Sequence, residues 1–310
     1  MFEAIFALGI SAGTVVRVSL PDGAARIVHT GPRGASPDGI VAVGGRIHWT
    51  TMGRPSRVPD LSGEAGLDYS ARNGGLHSAL PDGSDVRDLL PNGSITTGKQ
   101  LTSDGAGRLY WGDREGLRVS SARVDGTDLR DHVVNAPAPD RLAECVGVAV
   151  DPVRGHLYWT QKGPAKGGRG RILRAGLGLP AGATPRDRPD IETLWDGLPE
   201  PIDLEIAGDT LYWTDRGAAP DGNSLNRAPL PREGERGAPP AILARGFAEA
   251  IGLAVDSPAG VAYVSDLGGR IRRVPLGGGE PEILADLGTP VSGIAGITPR
   301  PTPTENGTQR

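Results

Sequence analysis

The feature that most limits what this chain can fold into is a short aromatic strand that returns at nearly even intervals. The segments IHWT, LYWGD, LYWT, LYWTD and AYVSD occupy residues 47–50, 109–113, 157–160, 211–215 and 262–266, and a degenerate copy, IFALG, occupies residues 5–9. Subtracting their first residue numbers shows that successive copies begin 42 to 62 residues apart. That spacing is about the length of one four-stranded propeller blade, so the repeat predicts a radial architecture.

Each aromatic strand lies inside a longer unit that predicts four strands. A short apolar strand precedes it, as at 146–151 and 251–256, and two further strands follow it, joined by an Asp-Gly turn such as 80–83 or 124–127. Turns of this composition are typical of tight hairpins. Six such units predict an all-β fold, a six-bladed β-propeller of four-stranded blades.

The two ends of the chain complete one blade. Residues 291–296 match the apolar inner strand but no aromatic strand follows them, whereas the aromatic strand at 5–9 has no inner strand before it. We therefore expect the N- and C-terminal strands to pair and close the ring. The predicted domain spans residues 1–297, and residues 298–310, with three prolines and no periodicity, predict a disordered tail.

The recurring motif resembles that of the YWTD propellers of the low-density lipoprotein receptor family over nearly the whole predicted domain. The resemblance implies that the aromatic pair packs between blades. It also implies that the acidic residue closing the motif, at Asp113, Asp215 and Asp266, holds the turn that follows. Thr51 and Gln161 occupy that place in the first and third full copies, so those turns must be held in another way. A more distant resemblance is to gluconolactonase-like and strictosidine-synthase-like propellers.

Composition and charge exclude several classes of function. The chain carries 33 basic and 37 acidic residues, evenly scattered, so no basic stripe predicts nucleic-acid binding. No segment is apolar enough to predict a membrane span, and residues 1–5 indicate a strand rather than a signal peptide. Because Cys145 is the single cysteine, we expect no internal disulfide and a cytoplasmic location. No nucleotide, flavin or metal motif is present in the sequence, so no cofactor is expected.

The inner strands line the channel of a propeller, and two of them carry polar residues where the others carry small ones. On one face, the first position reads Gly39, Gln100, Gly147, Asp203, Gly252 and Gly293, and the position two residues later reads Val41, Thr102, Ala149, Glu205, Ala254 and Ala295. Because side chains alternate along a strand, the polar side chains should face the channel. They are Gln100, Thr102, Asp203 and Glu205, with Lys99 beside them.

Asp203 and Glu205 are the candidate acid–base groups. Carboxylates two residues apart on one strand lie about 7 Å from each other, and like charges at that distance raise the pKa of at least one of them. We expect one of the two to act as a general base, while Lys99 and Gln100 orient or polarise a substrate. The alternative is a water-filled channel whose carboxylates contact Lys99 and ordered water without catalysing a reaction.

The mouth of the channel, where the inner strands begin, is the expected substrate pocket. Glu144, Glu200 and Glu249 occupy the same offset in three consecutive blades. They would bind a cation or a cationic substrate there, whereas as solvated surface charges they would bind nothing. The other expected substrate contacts are Cys145, Thr102 and Asp38.

Three long loops follow aromatic strands, over residues 51–75, 161–170 and 216–224. Long ordered loops in a compact domain are often functional, so we expect them to cover the channel. The sequence as a whole predicts a propeller that binds a small-molecule substrate. We expect a cofactor-free enzyme of hydrolase, lyase, isomerase or cyclase type, of the kind found in biosynthetic pathways.

Two other functions remain open. The first is a non-catalytic scaffold that binds a peptide or protein partner over its upper face. The second is a metal-dependent lactonase, because gluconolactonase-like propellers hold a divalent ion with one Glu, two Asn and one Asp. The corresponding positions here supply Asp203 and Gln100 without a pair of asparagines.

Overall fold

The structure is a computed structural model that describes residues 1–20 and 22–299. The chain begins with β1 (Ala4–Gly9), β2 (Thr14–Ser19) and β3 (Ala25–Thr30). Blade one and its insertion contain β4 (Pro37–Val43), β5 (Arg46–Thr51), β6 (Ser56–Arg57), the 3-10 helix η1 (Gly63–Gly66), β7 (Leu67–Asp68), β8 (Gly74–Ala79) and β9 (Arg87–Ile95). Blade two contains β10 (Gly98–Ser103), β11 (Arg108–Asp113), β12 (Arg118–Arg123) and β13 (Arg130–Val134).

The remaining strands follow the same plan. Blade three contains β14 (Cys145–Asp151), β15 (His156–Gln161), β16 (Gly170–Gly176) and β17 (Glu192–Leu198). Blade four contains β18 (Pro201–Ala207), β19 (Thr210–Asp215), β20 (Ser224–Pro229) and β21 (Ala241–Arg245). Blade five contains β22 (Ala250–Asp256), the 3-10 helix η2 (Ser257–Ala259), β23 (Val261–Asp266), β24 (Arg270–Pro275) and β25 (Glu282–Asp286). The last strand is β26 (Val291–Ile297).

The strands form six four-stranded antiparallel sheets, and a separate pair, β6 and β7, lies in the insertion of blade one. Each inner strand contacts the inner strands of two neighbouring blades, in the cyclic order β4, β10, β14, β18, β22 and β26. This closed cycle makes the sheets the blades of one ring. The predicted all-β, six-bladed propeller is confirmed.

The ring is closed by both ends of the chain. The sixth blade has the strand order β26-β1-β2-β3, with Ala4 opposite Ile297 and Phe6 opposite Ala295. The predicted pairing of N- and C-terminal strands is therefore confirmed. Of the predicted disordered tail, residues 300–310 lie outside the described part of the chain, and residues 298–299 belong to no strand or helix.

Aromatic side chains of the motif fill the space between blades. Trp111, Trp159 and Trp213 are at most 1% exposed. Trp213 of blade four packs against Tyr158 and Trp195 of blade three, and the two tryptophan ring centroids lie 5.4 Å apart. Burying a large apolar side chain stabilises a fold by roughly 2–3 kcal/mol, so these rings bind neighbouring sheets together as the resemblance implied.

The acidic residue of the motif ties down the turn after its strand. Each carboxylate accepts a hydrogen bond from a backbone N–H in that turn: Asp113 from Gly116 (3.0 Å), Asp215 from Gly217 (2.8 Å) and Asp266 from Arg270 (3.1 Å). In blade one the Thr51 hydroxyl accepts instead from the N–H of Gly75, at 3.0 Å. In blade three Gln161 Oε1 accepts from the Arg171 side chain.

A hydroxyl side chain one residue earlier in the motif links each of four blades to the next. The four residues are Thr50, Thr160, Thr214 and Ser265. Thr214 Oγ1 accepts from the N–H of Asp203 in its own blade at 3.1 Å and donates to the carbonyl of Ile251 in the next blade at 2.6 Å. Because both partners are buried backbone groups, the hydroxyl satisfies two groups that water cannot reach.

Candidate functional site at the channel mouth

Four inner strands carry glycine at one level of the channel, at Gly39, Gly147, Gly252 and Gly293. A Cβ atom on any of them would lie less than 3.0 Å from a backbone atom of the next inner strand. The strands therefore touch at this level, which a side chain would prevent. On either side of the glycines lie a mouth cavity and a second cavity, which share no lining residue.

The mouth cavity has a volume of about 480 Å³ and is lined by two rings of side chains. One ring comes from the residue before the glycine level on each inner strand: Asp38, Lys99, Val146, Ile202, Ile251 and Ser292. The other comes from the residue that follows each aromatic strand: Ile10, Met52, Arg114, Lys162, Arg216 and Leu267. Since every blade contributes two side chains, the cavity lies on the propeller axis.

A β-bulge explains which inner-strand residues reach this cavity. The pairing of β18 with β19 shifts by one residue between Pro201 and Leu204, and a shift recurs at the matching place in β4, β10, β14 and β22. The extra residue interrupts the alternation of side chains. Consequently Ile202 lines the mouth cavity, whereas Asp203, directly after it, lines the second cavity.

Asp38 and Lys99 form a buried ion pair in the wall of the mouth cavity. Lys99 Nζ lies 2.6 Å from Asp38 Oδ1, and the two residues are 8% and 1% exposed. Gln100 Nε2 donates a 3.3 Å hydrogen bond to the other carboxylate oxygen, and Met52 Sδ lies 3.4 Å from Nζ. Burial lowers the pKa of the Lys99 ammonium, while the negative charge of Asp38 opposes that shift. The structure thus brings Asp38, Lys99 and Gln100 together.

The three predicted glutamates pair with cations and do not line the cavity. Glu200 accepts a hydrogen bond from Arg216 Nε at 2.8 Å and lies 3.4 Å from Lys162 Nζ. Glu249 lies 3.6 Å from Arg216 Nη1, and Glu144 lies 3.8 Å from Lys162 Nζ. A compensating charge offsets part of the cost of burying a carboxylate. The prediction that these three glutamates line the mouth is therefore corrected: of these ion pairs, the cations Lys162 and Arg216 line the cavity and the glutamates do not.

Three charged residues of the lining, Arg114, Lys162 and Arg216, are absent from the candidates that the sequence suggests. Each directly follows an aromatic strand, in blades two, three and four. In the other three blades the same position carries an apolar residue. A signal for them is present in the sequence, because the position after the motif is cationic in three consecutive copies.

The long loop of blade one covers part of the cavity. Gly63, Leu67 and Tyr69 line the cavity, and the Arg114 guanidinium carbon lies 5.6 Å from the centre of the Tyr69 ring. The other two long loops each contribute to the lining through the residue directly after the aromatic strand, Lys162 or Arg216. The expected cover is thus provided chiefly by the loop after β5.

Cys145 lies in the core rather than in the cavity wall. Its side chain is 0% exposed and packs with Val119 and Trp159 between blades two and three. Asn135 Nδ2 lies 3.3 Å from the sulfur, and burial raises the pKa of the thiol to about 12. The expected substrate contact is corrected, since the bulge that turns the next residue, Val146, into the cavity leaves Cys145 inside.

The second cavity, of about 230 Å³, contains the other predicted polar residues, Thr102, Asp203 and Glu205. Asp203 Oδ2 accepts a 3.0 Å hydrogen bond from the N–H of Leu253, and Glu205 Oε2 accepts one of 2.8 Å from Val255. Burial raises the pKa of both carboxyls to about 8, and the charge of Asp203 adds to the shift of Glu205. Both carboxylates face the channel and link blade four to blade five.

Two further observations concern the described residues alone. Among the side chains that the structure describes within residues 1–20 and 22–299, which exclude those of residues 64 and 65, no three from His, Cys, Asp or Glu are grouped so that they could hold a metal ion. None of the helices in this part of the chain has the length and apolar character needed to cross a membrane.

The fold and the cavity define a six-bladed propeller with a ligand-sized cavity at one mouth of its axial channel. No protein-family model matches the sequence. A protein named low-density lipoprotein receptor-related protein 1 from Pyricularia oryzae is 40% identical over 278 residues, which cover 84% of this chain and 84% of the relative. This chain therefore belongs to the family of that protein, the YWTD propellers of the low-density lipoprotein receptor family.

A second relative carries a different name. The 3-hydroxyacyl-CoA dehydrogenase-like protein LAM1 from Cochliobolus heterostrophus is 37% identical over 262 residues, or 79% of this chain. The matched region is 52% of that relative, so the chain spans about half of its length.

Two solved structures share the fold at low sequence identity. The structure described as a nidogen/laminin complex has a TM-score of 0.68 at 16% identity, covering 94% of this chain and 97% of that one. A streptogramin B lyase structure has a TM-score of 0.50 at 15% identity, covering 81% of this chain and 68% of that one. At these identities the comparison shows the architecture alone.

Proposed function

We propose that this propeller binds a small molecule in the mouth cavity and acts on it by cofactor-free acid–base chemistry. The observation that carries the proposal is the cavity of about 480 Å³ on the axis, to which every blade contributes. Ligand sites in proteins are typically concave and largely apolar, with a few placed polar groups. Here Val146, Ile202 and Ile251 supply apolar wall, while Asp38 and Lys99 supply a polar pair.

We assign the acid–base role to Lys99 and Asp38, which lie within the mouth cavity. A buried lysine with a lowered pKa is more readily deprotonated than a solvated one, and a carboxylate 2.6 Å away can exchange the proton with it. Asp203 and Glu205, which the sequence suggested as bases, line the other cavity. We assign them to holding two blades together through their hydrogen bonds to Leu253 and Val255.

Binding is tested by thermal shift with a metabolite collection on the wild type and two matched variants. A ligand at about 100 times its Kd stabilises the folded state by about 2.7 kcal/mol, a readily measured shift. Leu267→Trp would place a large ring in the mouth cavity and abolish the shift, whereas Leu179→Trp, at an exposed position, would retain it. A ligand that stabilises both variants equally would place the site elsewhere.

Catalysis is tested on the ligand that the screen identifies. Lys99→Met should reduce turnover by roughly 10² to 10⁴-fold while the ligand still shifts the melting temperature. Asp203→Asn should leave turnover within about threefold of the wild type, since no general acid–base contribution is removed. Equal turnover in Lys99→Met and wild type would contradict the assignment of the pair.

A protein-binding scaffold is the second candidate. The structural neighbour solved as a nidogen/laminin complex and the receptor-related name of the relative support it. On this chain Leu61, in the loop that covers the mouth, is 53% exposed. If the scaffold is correct, Leu61→Asp should weaken capture of the partner and leave small-molecule thermal shifts unchanged.

A further inference from the structure

In one of the two rings that line the mouth cavity, the ring that follows the aromatic strands, cationic and apolar side chains lie on opposite sides. In the ring that follows the aromatic strands, blades two to four supply the cations Arg114, Lys162 and Arg216. Blades five, six and one supply the apolar residues Leu267, Ile10 and Met52. Because the blades follow one another around the axis, the three cations face the three apolar side chains across the cavity.

The cations are positioned by carboxylates that do not line the cavity. Arg114 Nε donates to both carboxylate oxygens of Glu115, at 2.7 and 2.9 Å. Lys162 and Arg216 share Glu200, whose side chain is almost completely buried. The positive groups are therefore held at the cavity wall before any ligand arrives, which reduces the entropy lost on binding.

The cations also act on one another. Burial is the main cause of the lowered pKa of Lys162, and the charges of Arg216 and Arg114 lower it further against the opposing effect of Glu200. The pKa of Lys99 is likewise lowered by burial and by the same two arginines. An anion placed among these groups favours their charged forms, so its binding is favoured in turn.

We propose that the mouth cavity recognises an amphiphilic organic anion, with its carboxylate or phosphate group at Arg114, Lys162 and Arg216 and its apolar part against Ile10 and Leu267. This inference rests on the proposed function, because it assigns the ligand class of the same cavity. Arginine binds planar oxyanions through paired N–H groups and lysine binds them as a point charge. Their attraction is strong where burial excludes water.

The test is calorimetric titration with compounds that share one apolar body and differ in the head group. The probes are 4-phenylbutyrate, 4-phenylbutyl phosphate, 4-phenylbutanol and 4-phenylbutylamine, with acetate as the head group alone. We expect the better of the two anions to bind roughly 10 to 100 times more tightly than the alcohol, since hydrogen bonds to charged groups are the stronger ones. The amine and acetate should give no saturable heat. Which anion binds more tightly identifies the head group.

Two controls separate charge recognition from simple hydrophobic binding. Raising sodium chloride from about 50 mM to about 500 mM should weaken binding of the anion but not of the alcohol, because salt screens the cations. Arg216→Gln should remove most of the preference for the anion, while Arg130→Gln, at an exposed position on β13, should preserve it. Arg114→Gln is the second cavity variant. Because Arg114 and Arg216 are both buried, the salt series supplies a test that requires no substitution.

Different results would overturn the anion inference and the proposed small-molecule site. If the alcohol binds as tightly as both anions and salt has no effect, the anion inference is overturned and a small-molecule site remains. If the amine binds more tightly than both anions, the anion inference is likewise overturned and a small-molecule site remains. If no probe binds in the cavity, the anion inference is overturned, and the absence of any hit from the wider metabolite screen would overturn the proposed function as well.

Discussion

Replacing Thr214 by valine removes one interblade hydroxyl while keeping the shape of the side chain. Thr214 is fully buried, and its hydroxyl serves the N–H of Asp203 and the carbonyl of Ile251. Leaving a buried donor or acceptor without its partner costs about 1–3 kcal/mol. Loss of both partners should therefore lower the free energy of unfolding by roughly 2 to 6 kcal/mol.

That loss corresponds to a measurable change in the melting temperature. The unfolding entropy is about 2.1 cal/mol/K per residue, or about 0.65 kcal/mol/K for a chain of 310 residues. We therefore expect Thr214→Val to melt about 3 to 9 °C below the wild type in differential scanning calorimetry. Thr30→Val, at an exposed position on β3, is the matched control and should shift by less than about 1 °C.

Two results would contradict a stabilising role for the Thr214 hydroxyl. A Thr214→Val protein that melts at the wild-type temperature would mean that water or a backbone adjustment satisfies both partners. Equal losses for Thr214→Val and Thr30→Val would mean that the change from hydroxyl to methyl acts without regard to the link between blades four and five.

Three further predictions follow from the fold and the buried groups. Deleting residues 289–310 should unfold the protein because it removes β26, whereas deleting 300–310 should leave the melting temperature unchanged; equal melting of the two would contradict ring closure. Because the pKa of Asp203 and Glu205 is raised to about 8, the folded state keeps protons that the unfolded state releases above about pH 4. Stability should therefore fall as pH rises from about 5 to about 8, and the double variant Asp203→Asn with Glu205→Gln should flatten that part of the stability curve, measured as melting temperature against pH. Cys145 should resist iodoacetamide in the native protein at pH 8 and react on unfolding, as read by intact mass, and rapid native labelling would contradict its burial.

The architecture could be predicted because the sequence pattern of one propeller blade is repeated along the chain. The aromatic strand and the apolar strand before it recur in each unit, and an Asp-Gly turn joins the two outer strands in three of the six. The same pattern therefore predicts the same four-stranded blade each time. Closure of the ring could be predicted because the inner strand at residues 291–296 has no aromatic strand after it and the aromatic strand at residues 5–9 has no inner strand before it. Alternation also predicts correctly that Asp203 and Glu205 face the channel. Asp203 lies at the end of the bulge and Glu205 lies beyond it, so the two side chains keep the same orientation.

The mouth cavity could not be predicted in the same way, because it depends on a bulge and on long-range pairing. Alternation counted back from Asp203 turns Ile202 away from the channel, and the extra residue in β18 turns it into the mouth cavity. The partners of Glu200 come from 16 and 38 residues away in sequence, so its pairing with Arg216 and Lys162 is a property of the folded ring. The matching bulge in β14 explains why Cys145, predicted to contact the substrate, lies in the core.

A crystal structure of the protein with 4-phenylbutyrate or 4-phenylbutyl phosphate, whichever binds more tightly, would show whether the mouth cavity is the ligand site. We expect one ligand on the propeller axis, with its oxyanion within hydrogen-bonding distance of Arg216 or Arg114 and its phenyl ring against Leu267. Ligand density confined to the second cavity or to the outer surface, with the mouth cavity occupied by solvent at saturating ligand, would contradict it.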